Sequence, residues 1–182
     1  VEMLTALLFV VVYLSWPSNL DSWSFGIIQI GMFLSATVVG VALSVYDFKW
    51  MLLPDRLVKI FSGFAIIYAG LHIVNSVNKQ GSIFQLVLAI LVSGGLFYVL
   101  YQISDGKWIG GGDVKLGFPL GLLLLTPINS MLMLFMASLL GCAYALLLLI
   151  VGKYKKNIHI PFGPFLLLAT YIVVLYGSSM IN

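Results

Sequence analysis

The sequence predicts an all-α, polytopic membrane protein, a bundle of about seven transmembrane helices whose fifth member is short. Three observations predict it. Apolar residues make up 62% of the 182-residue chain and charged residues only 8%, whereas a soluble globular domain carries about 25% charged residues. Several apolar runs reach the ~20 residues that cross a hydrocarbon core. The basic residues gather in alternate breaks between those runs, as the positive-inside rule requires.

Seven apolar segments can be marked in order. The first runs from about Glu2 to Leu14 and is closed by Trp16-Pro17-Ser18-Asn19. The second runs from about Trp23 to Tyr46. The third, from about Leu57 to Val74, follows Pro54-Asp55, with Asp55 read as its N-cap. Asn78-Lys79-Gln80-Gly81 is read as its end. The fourth spans about Ile83 to Ile103. The fifth, about Val114 to Leu125, lies between the Gly110-Gly111-Gly112 run and Thr126-Pro127-Ile128-Asn129. The sixth spans about Met131 to Val151 and the seventh about Pro161 to Leu175. All are expected to be helical, because lipid offers no partners to open backbone groups. No soluble domain, linker or heptad pattern interrupts them, so residues 1–182 read as a single transmembrane domain.

If the segments alternate in direction, the second, fourth and sixth breaks share a side. They hold Lys49, Arg56, Lys59, Lys107, Lys115, Lys153, Lys155 and Lys156, eight of the nine basic residues; the other side holds only Lys79. The basic side is expected to be cytoplasmic, which places the C-terminus outside. About 12 residues at ~1.5 Å each give the fifth segment roughly 18 Å, short of the ~30 Å core. A crossing helix that starts within the glycines, inside the protein, is therefore expected there.

Other chemistries find little support. Cys142 is the one cysteine; it lies in an apolar run and reads as a small packing residue, with no zinc-ligand spacing around it. His72 is expected near the outer face and His159 in a basic loop, neither with ligand company, so no metal or cofactor is expected. The net charge of +3 carries orientation rather than a nucleic-acid signal, and the partner it implies is the lipid bilayer. The chain begins at Val1 rather than Met and is read as lacking its natural N-terminus. Its first segment has no basic n-region or cleavage site and is not a signal peptide.

The chemistry lies in the acids. Of six, Asp21 reads as a solvated residue of an outer break and Glu2 stands at the chain start. Asp47, Asp55, Asp105 and Asp113 all fall on the basic side. Asp105 reads as a solvated loop residue. Asp47 directly follows the second segment and Asp113 directly precedes the fifth. Both are therefore expected at similar depth on one face, and acids at such edges are costly unless used or paired. Two carboxylates meeting in a semi-buried site hold one proton between them. That is the arrangement an aspartyl protease needs, one member taking a proton from water and the other polarising the scissile carbonyl. Gly110 and Gly112 would let the chain turn tightly into the fifth helix and leave room for a substrate backbone. Lys115 reads as a snorkelling anchor or as a cation steadying a developing oxyanion.

Four stretches of this sequence carry a family resemblance. Val1-Glu2-Met3-Leu4-Thr5-Ala6-Leu7-Leu8-Phe9 is similar to a "VELLTALLF" helix start. Asp47 through Leu53-Pro54-Asp55 matches a D-x6-P-D segment. Gly110 through Leu116 matches G-x-G-D-x-K-L. Ile160-Pro161-Phe162-Gly163-Pro164-Phe165 matches "IPFGPF". In these the chain resembles the type IV prepilin peptidases, G-x-G-D membrane aspartyl proteases of prokaryotic inner membranes. The resemblance implies removal of the short basic leader of prepilins or pseudopilins at the cytoplasmic membrane face. It implies Asp47 and Asp113 as the catalytic pair, with Pro161 and Gly163 setting the start of the last helix near the site. Longer members add an N-terminal helix and a cytoplasmic domain with a cysteine tetrad, and methylate the new N-terminus. This chain has no cysteine pairs, so the resemblance does not extend to that activity.

Two other readings use the same acids. Presenilin-like and signal-peptide-peptidase-like proteases also carry G-x-G-D, but place both Asp residues within helices and carry a Pro-Ala-Leu motif. A non-catalytic transporter or assembly factor could use the acids as a proton relay, although no inverted repeat is apparent.

Overall fold

Apolar runs in a solvent without hydrogen-bond donors must close their backbone bonds internally. The computed structural model describes residues 2–15, 23–151 and 161–181, and these form an all-α membrane protein of seven helices. They are α1 (Glu2–Ser15), α2 (Trp23–Trp50), α3 (Asp55–Asn75), α4 (Lys79–Ser104), α5 (Gly111–Leu124), α6 (Pro127–Ile150) and α7 (Gly163–Ile181). The break at Trp16 to Asn19, Asp21, Lys153, Lys155, Lys156, His159 and Ile160 lie outside the described residues. Among the described residues α2, α3, α4 and α6 are long and apolar enough to cross a membrane.

Every expected segment is a helix, but several ends shift. Helix α2 continues through Trp50, so Asp47 sits within its last turn rather than beyond it. Asn78 is the N-cap of α4, its side chain accepting from the Gly81 N–H at 3.0 Å, so Asn78-Lys79-Gln80-Gly81 opens the fourth helix instead of ending the third. Thr126 caps α6 in the same way, with Pro127 as first helical residue, where its missing N–H costs nothing. The N-cap of α3 is Pro54, and Asp55 is the first residue of the helix, not its cap. Cys142 is exposed on α6 rather than packed inside. Asp105 is exposed, as expected of a solvated loop residue, and caps the C-terminus of α4 in the left-handed region.

Hydroxyls on the apolar helices are answered locally. Ser35, Thr37, Ser44, Ser62 and Ser138 each donate to the carbonyl four residues earlier, which spares them exposure to lipid unpaired.

The short helix α5 is the centre of the bundle. Its start lies within the glycines, as expected, and its 14 residues span about 21 Å, less than a ~30 Å hydrocarbon core. Val114, Leu116, Gly117, Pro119, Leu120, Gly121, Leu123 and Leu124 are all buried. Along its length it packs against α3, α4, α6 and α7, and irregular backbone is tolerated at membrane depth where protein surrounds it.

What brings α5 so close to α4 is a π-helical turn, Leu91–Gly95, inside α4. A Cβ placed on Gly121 would touch the Ser93 hydroxyl and come within 2.7 Å of Ile90 Cα; one on Gly117 would come within 3.0 Å of Gly94 Cα. Gly117 and Gly121 are thus a small-x-x-x-small face of the kind that lets membrane helices touch backbone to backbone. Beside it the Ser93 and Ser130 hydroxyls both donate to the Ala89 carbonyl, at 2.8 and 3.1 Å, tying α6 to the same turn.

This packing makes the glycines unequal. Gly121→Ala is expected to destabilise the protein by about 1–3 kcal/mol through overpacking. At Gly63 an added methyl would meet nothing within 4 Å, so Gly63→Ala should be neutral or gain up to about 1 kcal/mol from helix propensity. Thermal unfolding of the two variants in the same detergent checks the contrast.

Candidate active site

The last turn of α2, the first turns of α3, α5 and α7, and the end of α4 meet at one end of the bundle. The sequence dictates this, because each is joined to the next by a short break and direction alternates. His72, in the last turn of α3, is 17 residues beyond Asp55 and so about 26 Å along the helix from that end.

A cavity of about 1110 Å³ opens there, and both Asp47 and Asp113 line it, together with Lys107, Lys115, Tyr101 and Phe162. Asp47 is only 7% exposed. Its Oδ2 accepts a hydrogen bond from the Gly163 backbone N–H at 3.0 Å. Gly163 is the first residue of α7, so a free N–H at a helix start is turned onto the acid. A Cβ on Gly163 would lie 2.6 Å from that oxygen and would force the Asp47 carboxylate to shift. Phe162, just before it, packs edge-on against Phe97 of α4 at 6.2 Å between ring centroids, which fixes where α7 begins. Pro161 lines the cavity.

Asp113 occupies the third position of α5, behind the N-cap Gly110. From there its carboxyl turns back over Gly110, Oδ2 lying 3.5 Å from where a Cβ on that glycine would stand. Asp47 lines the same cavity, near enough for its charge to bear on Asp113. Among the described residues neither forms an ion pair; the cation nearest Asp113 in sequence, Lys115, is bonded through Nζ to Asp55 Oδ1 at 2.7 Å. Gly112 faces α2's continuation: a Cβ there would meet Leu53 Cδ1 at 2.7 Å.

The structure therefore brings Asp47, Asp113, Gly110, Gly112, Lys115, Pro161 and Gly163 to one end, and leaves Glu2 exposed at the start of α1. Lys115 pairs with Asp55, a partner the sequence did not name. One expectation gives way. Both aspartates lie within helices, so helix placement does not separate this chain from presenilin-like proteases. Sequence reasoning missed Leu53, Tyr101 and Phe162; Leu53 and Phe162 lie inside the motif stretches, but nothing in a linear pattern says which neighbour each one meets. Among the described residues no cluster of His, Cys, Asp and Glu could hold a metal.

An all-α membrane protein that carries two carboxylates in one cavity at the end of its bundle belongs to a narrow class. The chain is a member of the type IV leader peptidase family, which it matches over residues 33–146. It is 30% identical over 186 residues to the prepilin leader peptidase/N-methyltransferase of Aeromonas salmonicida (strain A449) and 31% identical over 183 residues to that of Dichelobacter nodosus. It is 29% identical over 187 residues to that of Pseudomonas aeruginosa. Each alignment takes in 99% of this chain and 58% of the relative. No solved structure matches it.

Interacting carboxylates titrate as a pair. Carboxyl carbon shifts of labelled protein in micelles should therefore show Asp47 titrating in two steps, and in one step after Asp113→Asn. A single step in the unaltered protein would show that the acids ignore each other.

Proposed function

We propose that this chain is a membrane-embedded aspartyl endopeptidase that removes the short basic leader from type IV prepilins or pseudopilins. It would work at the cytoplasmic face of a prokaryotic inner membrane, as a single peptidase domain with its C-terminus outside. The observation that carries the reading is that Asp47 and Asp113, far apart in sequence, line one polar cavity and interact there. Family membership supports the choice of substrate, and the charge alternation along the chain supports the cytoplasmic face.

In this reading the pair holds one proton. The ionised member accepts a proton from a water molecule as its oxygen attacks the scissile carbonyl carbon. The protonated member donates to the carbonyl oxygen. The tetrahedral diol then collapses: one of its hydroxyls gives its proton to the pair as the carbonyl re-forms and the C–N bond breaks, the leaving nitrogen takes a proton from the pair, and one proton remains shared. The Gly163 N–H engages Oδ2 of Asp47 and leaves Oδ1 available to the water. The partners are the prepilin and the surrounding lipid; neither a cofactor nor nucleic acid has a part.

Asp47→Asn and Asp113→Asn should each lower leader removal from a co-expressed prepilin by roughly 10²–10⁴-fold, the range of a lost general acid or base, with membrane insertion intact. Gly163→Ala should also impair cleavage, because the added methyl pushes the Asp47 carboxylate from its place. Processing at the unaltered rate by either Asn variant would exclude the dyad and leave a relay or assembly role.

A further inference from the structure

The two acid-bearing motifs each have a second half that the dyad does not use. Asp47 is followed at seven and eight positions by Pro54 and Asp55, and Asp113 at two positions by Lys115. The structure joins these halves. The strap from Met51 to Asp55 leaves the end of α2 with the Met51 N–H bonded to the Asp47 carbonyl at 2.8 Å. Met51 takes a left-handed backbone, φ 51°, uncommon outside glycine, which turns the chain sharply toward α5. Leu53 then seats on Gly112, and Asp55 meets the Lys115 ammonium at 2.7 Å. Gly112 and Lys115 flank Asp113 on both sides.

We infer that the Asp55–Lys115 ion pair and the Leu53–Gly112 contact form a clasp that sets the separation of the Asp47 and Asp113 carboxylates. It rests on the dyad reading, because a separation matters only if the two acids work together. The four residues of the clasp are positioning residues. The pair is exposed, with side chains 57% and 61% accessible, and exposed pairs add little to stability. A clasp of this kind governs geometry rather than folding. It also engages the cation nearest Asp113 in sequence, which beside that acid would favour its ionised form over the shared proton.

A rival account is that Asp55 only complements the positive end of α3 with Lys59 one turn on. The two accounts separate on Lys115. The full chain in lipid nanodiscs is given a prepilin with its leader intact, and kcat, KM and the pH profile of kcat are measured. Lys115→Gln and Asp55→Asn should each lower kcat about tenfold with KM within twofold and the melting temperature unchanged. The bell of the pH profile should narrow, since acids held further apart are less coupled. Lys115→Arg should retain kcat, and the exchanged pair Asp55→Lys with Lys115→Asp should recover most of what either change alone removes. A silent Lys115→Gln, a loss falling in KM alone, or an exchanged pair no better than its single parents would overturn the clasp. Asp113→Asn in the same assay tells the two failures apart: if it still cuts the prepilin, the dyad reading falls and the clasp with it, whereas an inactive Asp113→Asn beside a silent Lys115→Gln sinks the clasp alone.

Discussion

A carboxylate drawn into an apolar bundle must be met by donors, and the choice of donor decides what the acid can do. A cation seated beside Asp47 or Asp113 would hold that acid ionised and remove any shared proton. Here helix starts take that place. Asp47 is met by the first N–H of α7, and Asp113 stands in the first turn of α5, turned back over its N-cap glycine. Amides at helix starts favour a negative charge without supplying a whole positive one. Much of the architecture follows from this. The end of α2 must reach the start of α7 across 116 residues of sequence, and the start of α5 must lie beside both.

That demand explains a helix too short to span. If α5 ran the full thickness of a bilayer, its start would stand at the headgroups beside bulk water. Beginning at Gly111, it holds Asp113 at the wall of a cavity instead. The cost is irregular backbone at depth, which membrane proteins accept only where protein or trapped water can answer it. The tight junction with the π turn of α4 and the hydroxyls converging on the Ala89 carbonyl meet that cost. Pro119 sits inside α5, where its missing amide leaves the Lys115 carbonyl without the usual partner four residues on.

Hydropathy made the seven helices legible, and the same quantity misplaced their ends. It reports which residues prefer lipid, not where backbone hydrogen bonds stop. The polar Asp47-Phe48-Lys49 stretch read as a break although α2 winds on through it. Asn78 and Thr126-Pro127 read as terminators, although side-chain capping and a first-turn proline are start signals,. That Asp47 and Asp113 share a cavity was legible because depth follows from topology, and two acids at equal depth have few places to be. The Lys115–Asp55 pair was not, since it joins residues 60 apart and nothing in either motif names the other. The π turn was equally hidden: Ser93-Gly94-Gly95 shows small residues, but not that the helix widens there.

The forces that set the site also differ from those of a water-soluble enzyme. Large apolar residues such as Phe84, Phe135 and Leu147 face outward, where lipid receives them as readily as a core would. Their burial cannot drive the helices together, so association must come from close packing and hydrogen bonds. Those contacts are concentrated at glycines. Gly121 lies against the π turn, Gly112 beneath Leu53, and Gly163 over the Asp47 carboxylate. Each brings a backbone within reach of a group that a side chain would hold away. Because a backbone cannot move independently of its helix, a carboxylate held by an amide inherits the position of the whole helix behind it. The placement of two acids is then fixed by how three helices touch, which is why residues far from any reacting atom bear on their geometry.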